Sequence, residues 1–474
     1  MSTAQPAAPA HALPASGGGS PFLWFVAGVS ALGGLLFGYD WVVIGGAKPF
    51  YEAYFGVVEP QVQAWAMSCA LVGCLVGAVG SGALSELLGR RRALLAAALL
   101  FAVSAIGTGF AASFDGFVAW RIVGGLAIGM ASVLSPVYIA EIAPARIRGK
   151  LVCLNELTIV LGIVAAQTVN WLIAEPVAVG ATLDGIRASW NGQMAWRHMF
   201  EAAVVPAVLF FLGALVIPES PRWLARKGKW DEASAVLARF GGEDEASAVV
   251  AEMRTTFEAA RASDVWGAIR QPGTRRALYV GITLAVLQQW CGINVIFNYA
   301  QEVFSAAGYA ISAILFNIVV TGVVMCVFTF VAIGTVDRWG RRPLMLIGCA
   351  GLALIYVLLG ALYYGHFQGW PLLFLVVAAI GCYAMTLAPI TWVILSEIFP
   401  NEARGASVAI CTTALWAACF VLTYTFPLLN ASVGTAVTFW IYAGICAGGF
   451  LFVLRTLPET KGQTLEEIEQ GWGR

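Results

Sequence analysis

Charge is scarce in this sequence. Asp, Glu, Lys and Arg make up 11% of its 474 residues, where an ordinary soluble domain carries roughly 25%. The 27 Lys and Arg balance the 27 Asp and Glu, so no surplus of one sign is present to draw a nucleic acid. Histidine is rarer still. His11, His198 and His366 are scattered and form no ligand cluster, so neither a metal nor another cofactor is expected. The absence of a glycine-rich nucleotide loop argues against an ATP-driven pump. Residues 1–20 hold no Lys or Arg and do not make the basic start of a signal peptide. Rich in Ala, Pro, Gly and Ser, they are expected to form a disordered cytoplasmic tail. None of the ten cysteines falls in a polar loop, so they read as packing thiols and not as a disulfide framework.

What the chain has instead is apolar length. It is 59% hydrophobic, with a mean hydropathy of +0.80. Apolar runs of roughly 20 residues, the length that crosses a bilayer, recur near 22–46, 63–84, 93–112, 117–140, 152–174 and 199–217. A second set follows near 277–300, 311–335, 344–364, 371–395, 406–428 and 435–454. The expected fold is an all-α membrane protein of twelve transmembrane helices, and a soluble enzyme is excluded. Arg90, Arg91, Arg92, Arg146, Arg148, Lys150, Arg338, Arg341, Arg342 and Arg404 fall on one side of the membrane. The other side has few basic residues, such as Lys48, Arg187 and Arg197. The positive-inside rule then puts the Arg-rich loops and both termini in the cytoplasm of a multi-pass inner (plasma) membrane protein.

The two sets repeat each other. Glu141-Ile142-Ala143-Pro144, then Arg148-Gly149, returns as Glu397-Ile398-Phe399-Pro400, then Arg404-Gly405, and 397 − 141, 400 − 144, 404 − 148 and 405 − 149 are each 256. Gly89-Arg90-Arg91 returns as Gly340-Arg341-Arg342. Order and side are kept, which indicates a parallel pseudo-repeat of two six-helix bundles, a transporter architecture. The expected organisation is a bundle over 21–217, a linker over 218–276, a second bundle over 277–455 and a cytoplasmic tail over 456–474. The linker is charged and periodic, and reads as short amphipathic cytoplasmic helices.

Within the seventh apolar run, Gln288, Gln289 and Asn294 stand among apolar residues, with Gly292 between them. An unpaired amide is costly in a bilayer, so such groups face a cavity or another helix. At about 100° per residue a straight helix would splay the three. A break at Gly292 would let them converge on one ligand. Amides donate and accept without net charge, which suits hydroxyl groups.

Five strings in order and with matching spacing make the chain resemble the sugar porter family of the major facilitator superfamily. They are residues 33–40 (GGLLFGYD), 218–224 (PESPRWL), Gln288-Gln289 with Gly292-Ile293-Asn294, residues 337–342 (DRWGRR) and 458–462 (PETKG). The resemblance implies a sugar site at Gln288, Gln289, Asn294 and Tyr299, with Gln167 from the N-terminal half and Trp392 stacking on the sugar. Phe37 and Trp416 are further aromatic candidates. It also marks departures. Asn298 stands where a tyrosine is usual, Met325 where an asparagine is usual, and Ala388 where a glycine is usual. Leu415 and Cys419 replace polar residues found in a proton-coupled member. A less polar C-terminal wall, and so an altered sugar preference, is expected. The family gives Asp40 the coupling proton in its proton-coupled members. Arg121, a charge in a neighbouring span, is the expected partner, because each needs one inside the membrane. Glu201 is a second candidate.

At the cytoplasmic helix ends, Glu141, Arg148, Arg90 and Arg91 and their repeats Glu397, Arg404, Arg341 and Arg342 are expected to pair across the two bundles and latch that face closed. The overall expectation is a proton-coupled symporter for a pentose or hexose, acting as a monomer by alternating access. The rivals are a facilitative uniporter, a polyol or inositol transporter, and a sugar sensor without transport.

Overall fold

The structure is a computed structural model that describes residues 20–461 apart from 145–146, 179, 262–264, 307 and 401–402. The expected tails at 1–20 and 456–474 lie for the most part outside these. Among the described residues the protein is all helix, with eleven helices long and apolar enough to cross a membrane. They are Pro21–Phe55, Pro60–Leu88, Arg90–Gly109, Phe114–Ile142, Arg148–Ile173, Asn191–Val216, Pro272–Asn298, Ile311–Ala332, Arg341–Tyr364, Trp370–Glu397 and Arg404–Thr456. The last has 53 residues, about 80 Å of helix against a hydrocarbon core of about 30 Å. It is broken at Gly434 (φ 81°, ψ 165°) and so forms two antiparallel spans, giving the twelve expected.

Helix is what a bilayer demands, since every backbone polar group must be satisfied within the segment. Local chemistry sets the ends. In the first span Ser20 accepts from the Leu23 amide at 3.2 Å, Pro21 opens the helix, and Gly56 closes it in the left-handed region (φ 69°). Small residues let spans approach closely: a side chain at Gly125 would overlap the Ala70 carbonyl, which brings the second and fourth spans together. Leu172, Val205 and Leu354 stand exposed on the outer wall, where lipid would cover them. Seven of the ten cysteines are buried, and Cys153 is exposed.

Between the two sets of six spans, Pro221–Arg226, Trp230–Gly241, Glu243–Arg261 and Val265–Arg270 are short helices. Leu224, Ala233, Leu237 and Met253 form a small core of their own there.

The pseudo-repeat persists at the level of single hydrogen bonds. Gly89 (φ 94°) and Gly340 (φ 89°) precede the third and ninth spans in the same conformation. Glu219 accepts from the Arg90 and Arg91 amides at 2.7 and 3.1 Å, and Glu459 from the Arg341 and Arg342 amides at 3.0 and 3.1 Å. Each carboxylate thus caps a helix N-terminus, where unpaired amides and the helix dipole favour an anion. A side chain at Gly89 would occupy the space of the Glu219 carboxylate.

Candidate transport site

The seventh span is interrupted where the amides cluster. Its first segment ends at Trp290, Gly292 adopts φ 86° and ψ −5°, and a second short helix runs Ile293–Asn298. This left-handed conformation is open to glycine and strained for other residues. The break brings the amides together as expected. Gln289 Nε2 donates to Gln288 Oε1 at 2.8 Å, and Asn294 Nδ2 donates to Gln289 Oε1. Asn294 Nδ2 also lies 3.7 Å from the Cys419 sulfur of the eleventh span. All three amides are buried.

Other buried polar atoms have no hydrogen-bond partner in the protein: both amide atoms of Gln167, Asn298 Oδ1, Asn317 Nδ2 and Trp416 Nε1. Buried polar groups in native proteins are nearly always paired, so this set suits a polyhydroxylated ligand. Gln167, on the fifth span, faces Gly322 on the eighth and so lies at the junction of the bundles. Phe37, Trp41 and Trp416 pack as a triangle with ring centroids 5.8–6.2 Å apart. This joins the first span to the eleventh with flat apolar surfaces, Trp416 lying about one helical turn from the Cys419 that Asn294 approaches. Tyr299 is engaged elsewhere, its hydroxyl donating to the Thr423 carbonyl at 2.6 Å. Trp392 is 38% exposed. Met325 is partly buried, and Leu415 is buried. Asn317 and Trp41 were not singled out from the sequence. The mark of each was a polar or indole group inside an apolar run.

Asp40 and Arg121 meet as expected. Arg121 Nη1 donates to Asp40 Oδ1 at 2.7 Å and Nη2 to the Asp40 carbonyl at 3.3 Å. The guanidinium also lies over the Phe200 ring, 5.2 Å from its centroid. The two residues are 5% and 3% exposed, so neither charge is compensated by bulk water. Asp40 Oδ2 has no hydrogen-bond partner and sits beside Gly124 and Ser104. The arrangement holds the carboxylate by one oxygen and leaves the other without a hydrogen-bond partner. Glu201 points elsewhere: its partner is His198, at 2.8 Å.

The cytoplasmic charges are arranged differently from the expectation of pairs across the bundles. Arg90 meets Glu141 through Nε (3.0 Å) and Nη2 (3.1 Å) inside the first bundle. Arg341 meets Glu397 at 2.9 Å inside the second. Ser220 and Thr460 donate to the same glutamates at 2.5 and 2.6 Å. Arg148 donates to the Ala143 carbonyl and Arg404 to the Phe399 carbonyl, equivalent bonds at helix ends. Arg91 and Arg342 reach carbonyls near the ends of the sixth and twelfth spans, at Leu215 and Leu454. Arg90 and Arg341 each open one span, and the paired glutamate ends another span of the same bundle on the same side, so the two ends meet within the bundle. Besides the Gln167–Gly322 and Phe37–Trp41–Trp416 contacts, the bundles meet at the opposite end. There Gly45 packs on the Phe297 carbonyl, the Val177 amide donates to Ser312 Oγ at 2.9 Å, and Trp171 meets Phe316 edge-on at 5.8 Å.

Twelve spans in two repeated bundles, with a polar site between them and a buried acid–base pair, define a membrane transporter of the alternating-access class. The sequence pattern of the sugar (and other) transporter family matches residues 26–472, and the chain belongs to that family. It is 36% identical to the D-xylose-proton symporter of Escherichia coli over 486 residues, 96% of each chain. It is 38% identical to the arabinose-proton symporter of Bacillus subtilis over 452 residues, 95% of each. Among solved structures, the partially occluded inward-open form of the E. coli xylose transporter superposes with a TM-score of 0.83 at 33% identity, over 94% of this chain and 100% of that one. The same symporter bound to 6-bromo-6-deoxy-D-glucose gives 0.78 at 35% identity, over 95% and 99%.

Proposed function

We propose that this chain is a proton-coupled symporter for a pentose or hexose, working by alternating access in the inner membrane with both termini cytoplasmic. The observation that carries the proposal is the buried Asp40–Arg121 pair, with Asp40 Oδ2 bare. While Asp40 is ionised it holds Arg121, and breaking a buried pair of this kind costs about 3–5 kcal/mol. Protonation removes that attraction and frees the fourth span to shift relative to the first. Proton loading thereby favours one access state, and sugar binding favours closure around the ligand. Relatives named for D-xylose-, arabinose- and galactose-proton symport support the coupling.

In this reading Gln167, Gln288, Gln289, Asn294 and Asn298 bind hydroxyls, and Phe37, Trp392 and Trp416 cover the apolar face of the ring. Met325 and Tyr299 shape the wall. The intra-bundle pairs of Arg90 with Glu141 and Arg341 with Glu397 hold the cytoplasmic ends of each bundle as rigid bodies. The test is uptake into proteoliposomes of labelled pentoses, hexoses and inositols, with and without an inward proton gradient. Accumulation above equilibrium only with the gradient supports symport. Equilibration unaffected by the gradient identifies a uniporter.

A further inference from the structure

The first span carries a second charge inside the protein that proton coupling does not use. Lys48 is 2% exposed and lies eight residues beyond Asp40, towards the end that has few arginines. Its ammonium has two partners. Glu52, one turn further along the same helix, is 2.9 Å away. Glu302, on the short helix Ala300–Ala306 of the other bundle, is 2.5 Å away. The Tyr299 ring centroid lies 6.0 Å from the same nitrogen. Among the charge pairs of the described residues, Lys48–Glu302 joins the two bundles. It sits where the two bundles approach closely, since a Cβ on Gly45 would lie 2.8 Å from the Phe297 carbonyl oxygen.

The two carboxylates are not equivalent. Glu52 moves with Lys48 because both belong to one helix, whereas Glu302 belongs to the part of the seventh helical segment beyond the Gly292 and Tyr299 breaks. Opening the seam would remove Glu302 but leave Lys48 with Glu52. The buried ammonium is therefore never stranded, and the large penalty for orphaning a buried charge is avoided. A cation with a resident counter-ion and a second partner across a moving boundary can release and re-form its bond repeatedly. The glutamate side chains are 8% and 26% exposed, Glu302 being the more open, as suits the partner that leaves.

We propose that Lys48 is the outer latch of the transport cycle: its bond to Glu302 holds the outward face closed and must break before the amide site opens outward. Glu52 is its resident counter-ion. This rests on the alternating-access reading above.

The test uses the full chain in lipid nanodiscs and follows amide hydrogen exchange by mass spectrometry. Lys48→Met leaves Glu52 and Glu302 facing each other unneutralised. Glu302→Gln keeps Lys48 paired with Glu52 and removes only the charge attraction of the crossing pair. Both should speed exchange in residues 293–306 by about tenfold or more, the effect of losing a close interfacial charge pair, and slow it at residues 388–397. The double exchange Lys48→Glu with Glu302→Lys puts the cation on the other bundle, facing two carboxylates, and should restore the original pattern. A merely structural lysine would not be rescued in this way. Unchanged exchange in Glu302→Gln, or no recovery in the double exchange, overturns the latch. Sugar uptake by the unmutated protein is measured in parallel. If it is present while exchange is indifferent to Glu302, the latch fails and transport stands. If it is absent while exchange responds, the latch stands and the transport reading fails.

Discussion

Asp40 gives one carboxylate oxygen to Arg121 at 2.7 Å and keeps the other without a partner. If that free oxygen receives the coupling proton, Asp40→Asn fixes the uncharged state. The variant should lose accumulation of sugar against its gradient and keep sugar-for-sugar counterflow in the same vesicles. Accumulation at the unmutated level would move the proton elsewhere, and Glu201 would be examined next.

The amide chain makes a prediction about binding alone. Gln288→Ala and Gln167→Ala each remove hydrogen-bonding groups that face the site, a loss of about 1–3 kcal/mol where a partner is left unsatisfied. Calorimetric titration should show affinity lower by roughly tenfold or more in each. Equal affinity in both variants would exclude this cluster as the sugar site.

Much of this was legible in the sequence, because bilayer constraints leave few alternatives. Twelve apolar runs gave twelve spans, and a glycine among three amides gave the break at Gly292. Asp40 and Arg121 had to find partners, and they found each other. What was not legible depended on distance along the chain. Lys48 read only as one of a few outer-side charges, since its partner Glu302 lies in the other bundle. The equal offsets of Glu141 and Glu397 showed that the arrangement repeats but not whether the pairs cross the bundles, and the Arg90–Glu141 and Arg341–Glu397 pairs each lie within one bundle. Glu219 and Glu459 were visible as parts of short strings. That each caps the helix after Gly89 or Gly340 required the fold.

Those caps can be tested together. Glu219→Ala and Glu459→Ala each uncover a helix N-terminus, a loss of about 1–2 kcal/mol. Both should lower the thermal unfolding midpoint in detergent, by similar amounts if the repeat is as symmetric as the hydrogen bonds indicate. A change in only one would show that the two bundles are anchored differently.

Gly292 and Gly444 differ sharply under the same substitution. Gly292→Ala places a side chain at positive φ and 2.8 Å from the Tyr442 ring, a strain of about 1–3 kcal/mol. Gly444 lies within a regular helix with nothing within 4 Å, so Gly444→Ala should be neutral or stabilising by about 0.5–1 kcal/mol. Unfolding midpoints that fall for both would mean that the break at Gly292 is not the cause.

The most direct test of proton-coupled sugar transport is to follow both partners at once. Purified protein is placed in lightly buffered proteoliposomes, and the external pH is recorded while a labelled pentose or hexose is added. Symport predicts that the outside becomes more alkaline as sugar enters, with the pH change absent in Asp40→Asn. Sugar entry with no movement of protons would contradict it.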